Sequence, residues 1–345
     1  MTNPFVTTFG IEPQNYIRRN EESEKIISEF SSESPSNYVY IITGLRGSGK
    51  TVLMSAIANH FMDEKDWIVV DPGPKDNILE NVASEIFETG KMKHLFLKGE
   101  FSFSFHGLTF SIEGNEPVSS VNTLLKKMLQ IIKKRGKRVL ITIDEVDNSP
   151  QMKHFIQAYQ SLIRLGYPVM LLMTGLYENV SKLQEDKSLT FLYRAPKIRL
   201  ESLNIAAIAS SYREYLGVAF EQSVSLAQMT KGYAYAYQVL GYLLYPSTSK
   251  EVDEKILREY DQYLADYVYD KLYSELSQTE QIIVCAFEGN GPMKLANLSE
   301  KSGIEVKKLS VYRDRLIKKG VLFSPAYGFM EFTLPRFYEY LAIKR

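Results

Sequence analysis

The chain has 345 residues, too many for one ordinary core, and its length suggests about two domains. Lys plus Arg and Asp plus Glu both number 41, so the formal charge is zero, which argues against a polyanion-binding surface along the whole chain and leaves room only for a local nucleic-acid site. Cys285 is the only cysteine, which excludes a disulfide framework, and no stretch approaches 18 consecutive apolar residues, so we expect a soluble, cytoplasmic protein with no membrane partner.

Residues 1–36 read as a polar arm with one amphipathic helix, Asn20 to Phe30, between Pro13 and a Ser-rich loop. Tyr38 to Thr43 is apolar, β-branched and aromatic, of strand length, and Thr51 to Met62 has apolar residues at helical spacing. Between them lies Gly44-Leu45-Arg46-Gly47-Ser48-Gly49-Lys50-Thr51, the phosphate-loop pattern, followed by Val52. Gly44, Gly47 and Gly49 let backbone N–H groups turn inward around a phosphate, and the helix adds the positive end of its dipole. Lys50 is placed to reach the β and γ phosphates, and the Thr51 hydroxyl to take one position on Mg2+.

Trp67 to Asp71 is a second buried strand closed by Pro72-Gly73-Pro74, and Asn77 to Phe87 a helix. Residues 101–112 alternate apolar and polar around His106-Gly107, which predicts an inserted hairpin whose phenylalanines share a face; they cover the domain or, on a sharper reading, meet a partner. Val121 to Lys134 is a helix ended by Gly136. Val139 to Glu145 is an apolar strand closing on two carboxylates, and ligands of doubly wound sheets bind beyond the carboxyl ends of strands. Asp144 is the expected partner of Mg2+, and Glu145 is placed to orient and deprotonate an attacking water. The pair suits activation of water better than transfer to an acceptor, so a doubly wound kinase fits less well.

Pro150 to Leu165 reads as a helix and Val169 to Gly175 as a strand whose polar end, Thr174, is expected to approach the γ-phosphate. Arg194, ahead of a short strand at Ile198 to Leu200, is a candidate charge clamp acting in cis or across subunits, with an ordinary surface ion pair as the alternative. Residues 205–244 give three helices, a small lid. Residues 212–273 hold 12 of the 23 tyrosines, read as packing of a thin bundle or, alternatively, as a base or partner platform.

A linker, Pro246 to Glu251, precedes an acidic helix or helix pair over Val252 to Leu276. Helices at Gln278 to Phe287, Leu295 to Ser302 and Val306 to Lys319, then strands near Val321 to Phe323 and Phe329 to Phe332, make a winged helix, with a last short helix from Phe337 to Ile343. At 100° per residue, Val306, Leu309, Leu316 and Ile317 should face its core together with Arg313. Lys307, Lys308, Arg315 and Lys318 gather opposite, with Lys319 at the edge, as candidate contacts to double-stranded DNA.

The Gly44-to-Thr51 loop, the strand Leu140-Ile141-Thr142-Ile143-Asp144-Glu145, the strand end Leu172-Met173-Thr174-Gly175, the helical lid and the terminal winged helix together resemble the AAA+ ATPases. Within them the chain is most similar to the origin-recognition-initiator and archaeal-type ATPase group, which shades into the signalling ATPases known as STAND. The resemblance implies an α/β P-loop NTPase parallel sheet of the AAA+/ASCE type, five-stranded, with a helical lid and a C-terminal winged helix. It also implies that Ile17 and Arg18 lie over an adenine. ATP rather than GTP follows partly from it and partly from the lack of an Asn/Thr-Lys-x-Asp guanine reader. Where initiators carry a sensor arginine in the lid, Gly232-Tyr233-Ala234-Tyr235 offers tyrosines, which implies slow hydrolysis.

The expected organisation is an arm and ATPase core over 1–200, a lid and linker helix over 201–270 and a winged helix over 271–345. The expected function is a Mg2+-dependent ATPase whose ATP or ADP state governs DNA binding. The alternative is a nucleotide-dependent protein-interaction switch, with a partner protein or a homo-oligomer and no nucleic acid.

Overall fold

The computed structural model describes residues 2–8, 13, 15–73, 77–89, 102–105, 108–110, 117–118 and 120–344. Spatial contacts divide the chain into two compact units, one of Arg19–Thr43 and Leu53–Arg199, the other of Met1–Arg18, Gly44–Val52 and Leu200–Arg345.

The first unit begins with α1 (Asn20–Ser31), β1 (Val39–Thr43), α2 (Lys50–Asp63, whose first residues belong to the second unit), β2 (Trp67–Val70) and α3 (Ile78–Glu88). Then come β3 (Ser102–Phe105), β4 (Leu108–Phe110), β5 (Pro117–Val118), α4 (Val121–Lys134), β6 (Arg138–Ile143), α5 (Pro150–Arg164), β7 (Val169–Gly175), α6 (Tyr177–Glu185) and β8 (Lys197–Arg199). Five strands form one parallel sheet in the order β2-β6-β7-β1-β8. Its central strands are buried throughout, as a parallel sheet covered on both faces requires, and this explains why β1 and β7 read as continuous apolar runs. Met128, Phe155, Ile156 and Tyr159 pack with Val139, Ile141 and Leu171 in its core. The Tyr159 hydroxyl donates to the carbonyls of Tyr38 and Val169 at 2.8 and 3.0 Å, so the buried phenol is satisfied.

The expected hairpin is present as β3 paired antiparallel with β4, and β5 adds a parallel partner to β3; its turn, His106-Gly107, lies outside the described residues. α6 and the 3-10 turn Lys187–Arg194 are short and mostly polar, each burying few apolar side chains such as Val180, Leu183, Leu189 and Leu192.

The second unit holds α7 (Ile205–Leu216), α8 (Phe220–Met229), α9 (Ala234–Leu244), α10 (Glu254–Leu264) and α11 (Asp270–Ser274). Asn204 caps α7 by accepting from the Ala206 N–H at 2.8 Å, and Gly217 ends it at φ 69°. Of the acidic helix or helix pair expected over 252–276, the structure has the pair, joined by a π turn at Ala265–Tyr269 that buries Val268 and Tyr269. The arm is not simply polar: Phe5 is 1% exposed, with its ring centroid 5.9 and 5.7 Å from those of Tyr212 and Tyr237. Gly241 makes room for it, since a Cβ there would lie 2.4 Å from the Phe5 ring. The apolar residues of this stretch, Phe5, Val6, Phe9 and Ile11, follow neither a helix nor a strand period, so the sequence gives no sign that Phe5 is buried.

The unit continues with α12 (Gln278–Cys285), β9 (Met293–Lys294), α13 (Leu295–Ser302), α14 (Val306–Lys319), β10 (Leu322–Phe323), β11 (Phe329–Phe332) and α15 (Phe337–Lys344). The three strands form an antiparallel sheet in the order β10-β11-β9. Leu309 and Leu316 of α14 are fully buried and Ile317 packs beside them, as expected, but Val306 is 51% exposed. Val306 is the first residue of the helix, and the burial begins at Leu309. Lys319, expected at the edge of the basic face, makes an ion pair at 2.8 Å with buried Glu280. Glu280 in turn closes a capping box with Ser277. Among the described residues no helix is long and apolar enough to cross a membrane.

Candidate nucleotide-binding site

The phosphate loop continues directly from β1 and belongs to the second unit. Gly47 and Gly49 sit at φ 71° and 90°, a region open to glycine at little cost. Lys50 is 8% exposed, and its ammonium donates to the carbonyls of Gly44 at 3.2 Å and Leu45 at 2.8 Å. The Ser48 N–H also donates to the Leu45 carbonyl, at 3.2 Å. Cationic and amide donors therefore converge inside the loop.

Two parts of the same unit press on the loop from outside. The Tyr233 hydroxyl donates to the Arg46 carbonyl, and the Tyr235 N–H donates to the Gly47 carbonyl at 3.1 Å. A Cβ at Gly47 would lie 2.4 Å from the Tyr233 hydroxyl, so this glycine is required by its neighbour as well as by its backbone angle. Burial, before any charge, pushes the Tyr233 phenol well above its ordinary value, and it stays a neutral donor. Elsewhere Leu45 meets the C-cap of α14: a Cβ at Gly320 would lie 2.9 Å from Leu45 Cγ.

In the first unit, parallel pairing brings the carboxyl ends of β6 and β7 side by side. Thr174 is fully buried, and its hydroxyl donates to Asp144 Oδ1. It accepts from the Glu145 N–H at 3.1 Å, and its carbonyl accepts from Val146 N–H at 2.8 Å. Thr174 thus holds the Asp144 carboxylate and the turn after β6. Glu145 leaves that turn at φ 54°, a left-handed conformation that costs a non-glycine residue about 1 kcal/mol, and its side chain is exposed. Asp71, just beyond β2, was not singled out from the sequence; partial loss of water, and then the Asp144 charge, raise its carboxyl above the ordinary value.

The oxygen donors fit Mg2+. Among the described residues no group of three or more His, Cys, Asp or Glu could hold a metal, but Mg2+ needs only one or two carboxylates with phosphate oxygens and water, and a half-exposed Asp144 oriented by Thr174 has the chemistry for that role.

Thr51 and Val52 lie half-buried in the first turn of α2. Ile17 packs against the core of the second unit, and Arg18 beside it in sequence is exposed. Arg194 is exposed at the end of its 3-10 turn. Lys307, Lys308, Arg315 and Lys318 are all exposed on α14, with Arg315 lying 5.4 Å over the Tyr312 ring, and Arg313 is half-buried. Of the tyrosines in residues 212–273, Tyr212, Tyr233, Tyr235, Tyr237, Tyr260 and Tyr269 are buried, so much of that enrichment is packing.

A five-stranded parallel sheet with a glycine-rich Lys-Thr loop after one strand and an acid after another defines the phosphate-loop NTPase fold. The chain belongs to the family described as an ATPase domain predominantly from Archaea, whose model matches residues 18–191, just over half its length. A model for a domain of unknown function matches residues 266–341. An uncharacterized ATP-binding protein of Methanocaldococcus jannaschii is 28% identical over 159 residues; that match covers 40% of this chain and spans only 38% of the relative. Among solved structures, a Walker-type ATPase of Pyrococcus abyssi superposes with a TM-score of 0.63 at 13% identity, over 95% of this chain and 97% of that one. The ORC2 protein of Aeropyrum pernix, solved as ADPNP–ADP complexes, gives 0.60 at 13% identity over 98% and 96%. At such identities the likeness speaks for the fold alone.

Proposed function

We propose that this chain binds ATP with Mg2+, hydrolyses it slowly, and uses its nucleotide state to govern a C-terminal winged helix that contacts double-stranded DNA. The observation that carries the reading is the loop itself, where Gly47 and Gly49 take left-handed angles and the Lys50 ammonium and Ser48 amide both lie on the Leu45 carbonyl, donors that a bound phosphate would take over. In this reading Lys50 binds the β and γ phosphates, and loop residues 44–52 enclose them. Mg2+, when bound, neutralises phosphate charge, with Thr51 and Asp144 supplying protein oxygens. Glu145 takes the proton of the attacking water, and its exposed carboxylate and left-handed backbone suit a group aimed away from its strand. Thr174 acts through Asp144, Arg194 is a clamp for developing charge, and Ile17 with Arg18 covers the base. Slow turnover is supported by the lid, which offers the loop Tyr233 and Tyr235 where a sensor arginine would stand.

The DNA part rests on four exposed cations along α14. Four phosphate contacts give a slope of log K against log salt of about −3 to −4. Fluorescence anisotropy with duplex DNA should show that slope for wild type, and a loss of about two units together with weaker binding for Lys307→Ala/Lys308→Ala. Absence of binding with both ATP and ADP, or identical curves, would replace this part by a nucleotide-dependent protein-interaction switch.

A further inference from the structure

A trans peptide holds its carbonyl and its N–H on opposite sides, and the described residues contain no cis bond. Whatever fixes a loop carbonyl therefore also aims the next N–H. The Tyr233 hydroxyl holds the Arg46 carbonyl, so the Gly47 N–H points away from Tyr233. The Tyr235 N–H holds the Gly47 carbonyl, so the Ser48 N–H points the other way, and it is found on the Leu45 carbonyl beside Lys50. Tyr233 is itself fixed. Its ring is 5% exposed, its N–H donates to the Thr230 carbonyl at 2.8 Å, and the preceding Gly232 carbonyl accepts from Leu203 N–H at 2.7 Å. Gly232 tolerates no side chain, since a Cβ would lie 2.5 Å from the Leu203 carbonyl.

We propose that Tyr233 is a positioning residue for a polyphosphate ligand: from the lid it fixes the Arg46–Gly47 peptide plane, so that the loop amides and Lys50 face the phosphates. This rests on the nucleotide reading above and adds that affinity for the phosphate part depends on a lid hydroxyl. Pre-organised donors bind more tightly because the ligand need not order them.

Tyr233→Phe removes the hydroxyl and keeps the ring. Tyr237→Phe is the control, because Tyr237 is equally buried but spends its hydroxyl on Ser211 at 2.6 Å. By isothermal titration, Tyr233→Phe should weaken ADP and inorganic pyrophosphate alike by about five-fold, the worth of one hydrogen bond, while Tyr237→Phe leaves both within about two-fold. Unchanged affinity in Tyr233→Phe, or a loss for ADP but not for pyrophosphate, overturns the inference and leaves nucleotide binding standing. Wild type that binds neither ligand overturns the nucleotide reading itself. A measurement on the wild type is independent of whether the variant folds: the Gly47 amide resonance should shift on adding pyrophosphate, and an unmoved resonance counts against the proposal.

Discussion

Asp144 takes its hydroxyl partner from Thr174, 30 residues on and in the neighbouring strand, whereas the Arg46 carbonyl takes its partner from Tyr233, 187 residues further along the chain. The carboxylate edge is therefore fixed by the same pairing that builds the sheet. The phosphate loop is fixed by a helix that the sheet does not specify. A group held by its own sheet is ordered once the sheet folds; a group held from the start of α9 is ordered only when that helix is packed as well. In the proposed reading, Lys50 and Glu145 are therefore held by different parts of the fold, and substitutions can address them separately.

The largest effect should come from the loop. Lys50→Ala removes the motif's lysine ammonium, and ATP affinity by titration should fall on the order of 100-fold, as for loss of charged hydrogen bonds to phosphate. Wild-type affinity in this variant would remove the loop from the site altogether. Glu145→Gln keeps shape and loses the base: turnover should fall by about 100-fold or more, with ATP affinity unchanged within about two-fold. Equal turnover would show that Glu145 is not the base. Thr174→Ala should act only through Asp144, lowering Mg2+ affinity by about ten-fold, as loss of an outer partner does, while ADP binding in chelator stays as in wild type. If ADP binding without metal falls too, the two regions are coupled and the contrast between them is wrong. The smallest effect is the five-fold change expected for Tyr233→Phe.

How much of this could be read from the chain follows the same division. The loop, β6 with its acids and β7 with Thr174 were legible because glycine spacing and continuous apolar runs are local signals. The helices 121–134, 205–216, 234–244 and 306–319 were legible for the same reason. The burial of Phe5, the Lys319–Glu280 pair and the seat of Leu45 on Gly320 are contacts between residues far apart in sequence, and nothing local marks them. The tyrosines at 233 and 235 were noticed as standing where an arginine was expected. That their groups bond the loop backbone could have been suspected only from Gly47, a third glycine at a position where the motif permits any residue.

That glycine has a consequence for how the sequence can vary. In the motif the four positions between Gly44 and Gly49 carry no chemistry of their own, yet here two of them are occupied by constraints from elsewhere: Leu45 lies against Gly320, and Gly47 against Tyr233. A side chain at position 47 cannot coexist with the Tyr233 ring in its present place, so the two positions are not free to drift independently. Among relatives that keep this lid, residues larger than glycine at 47 should occur only with a smaller residue than tyrosine at 233. Loops transplanted from other phosphate-binding proteins should fail here unless the lid residue is exchanged with them.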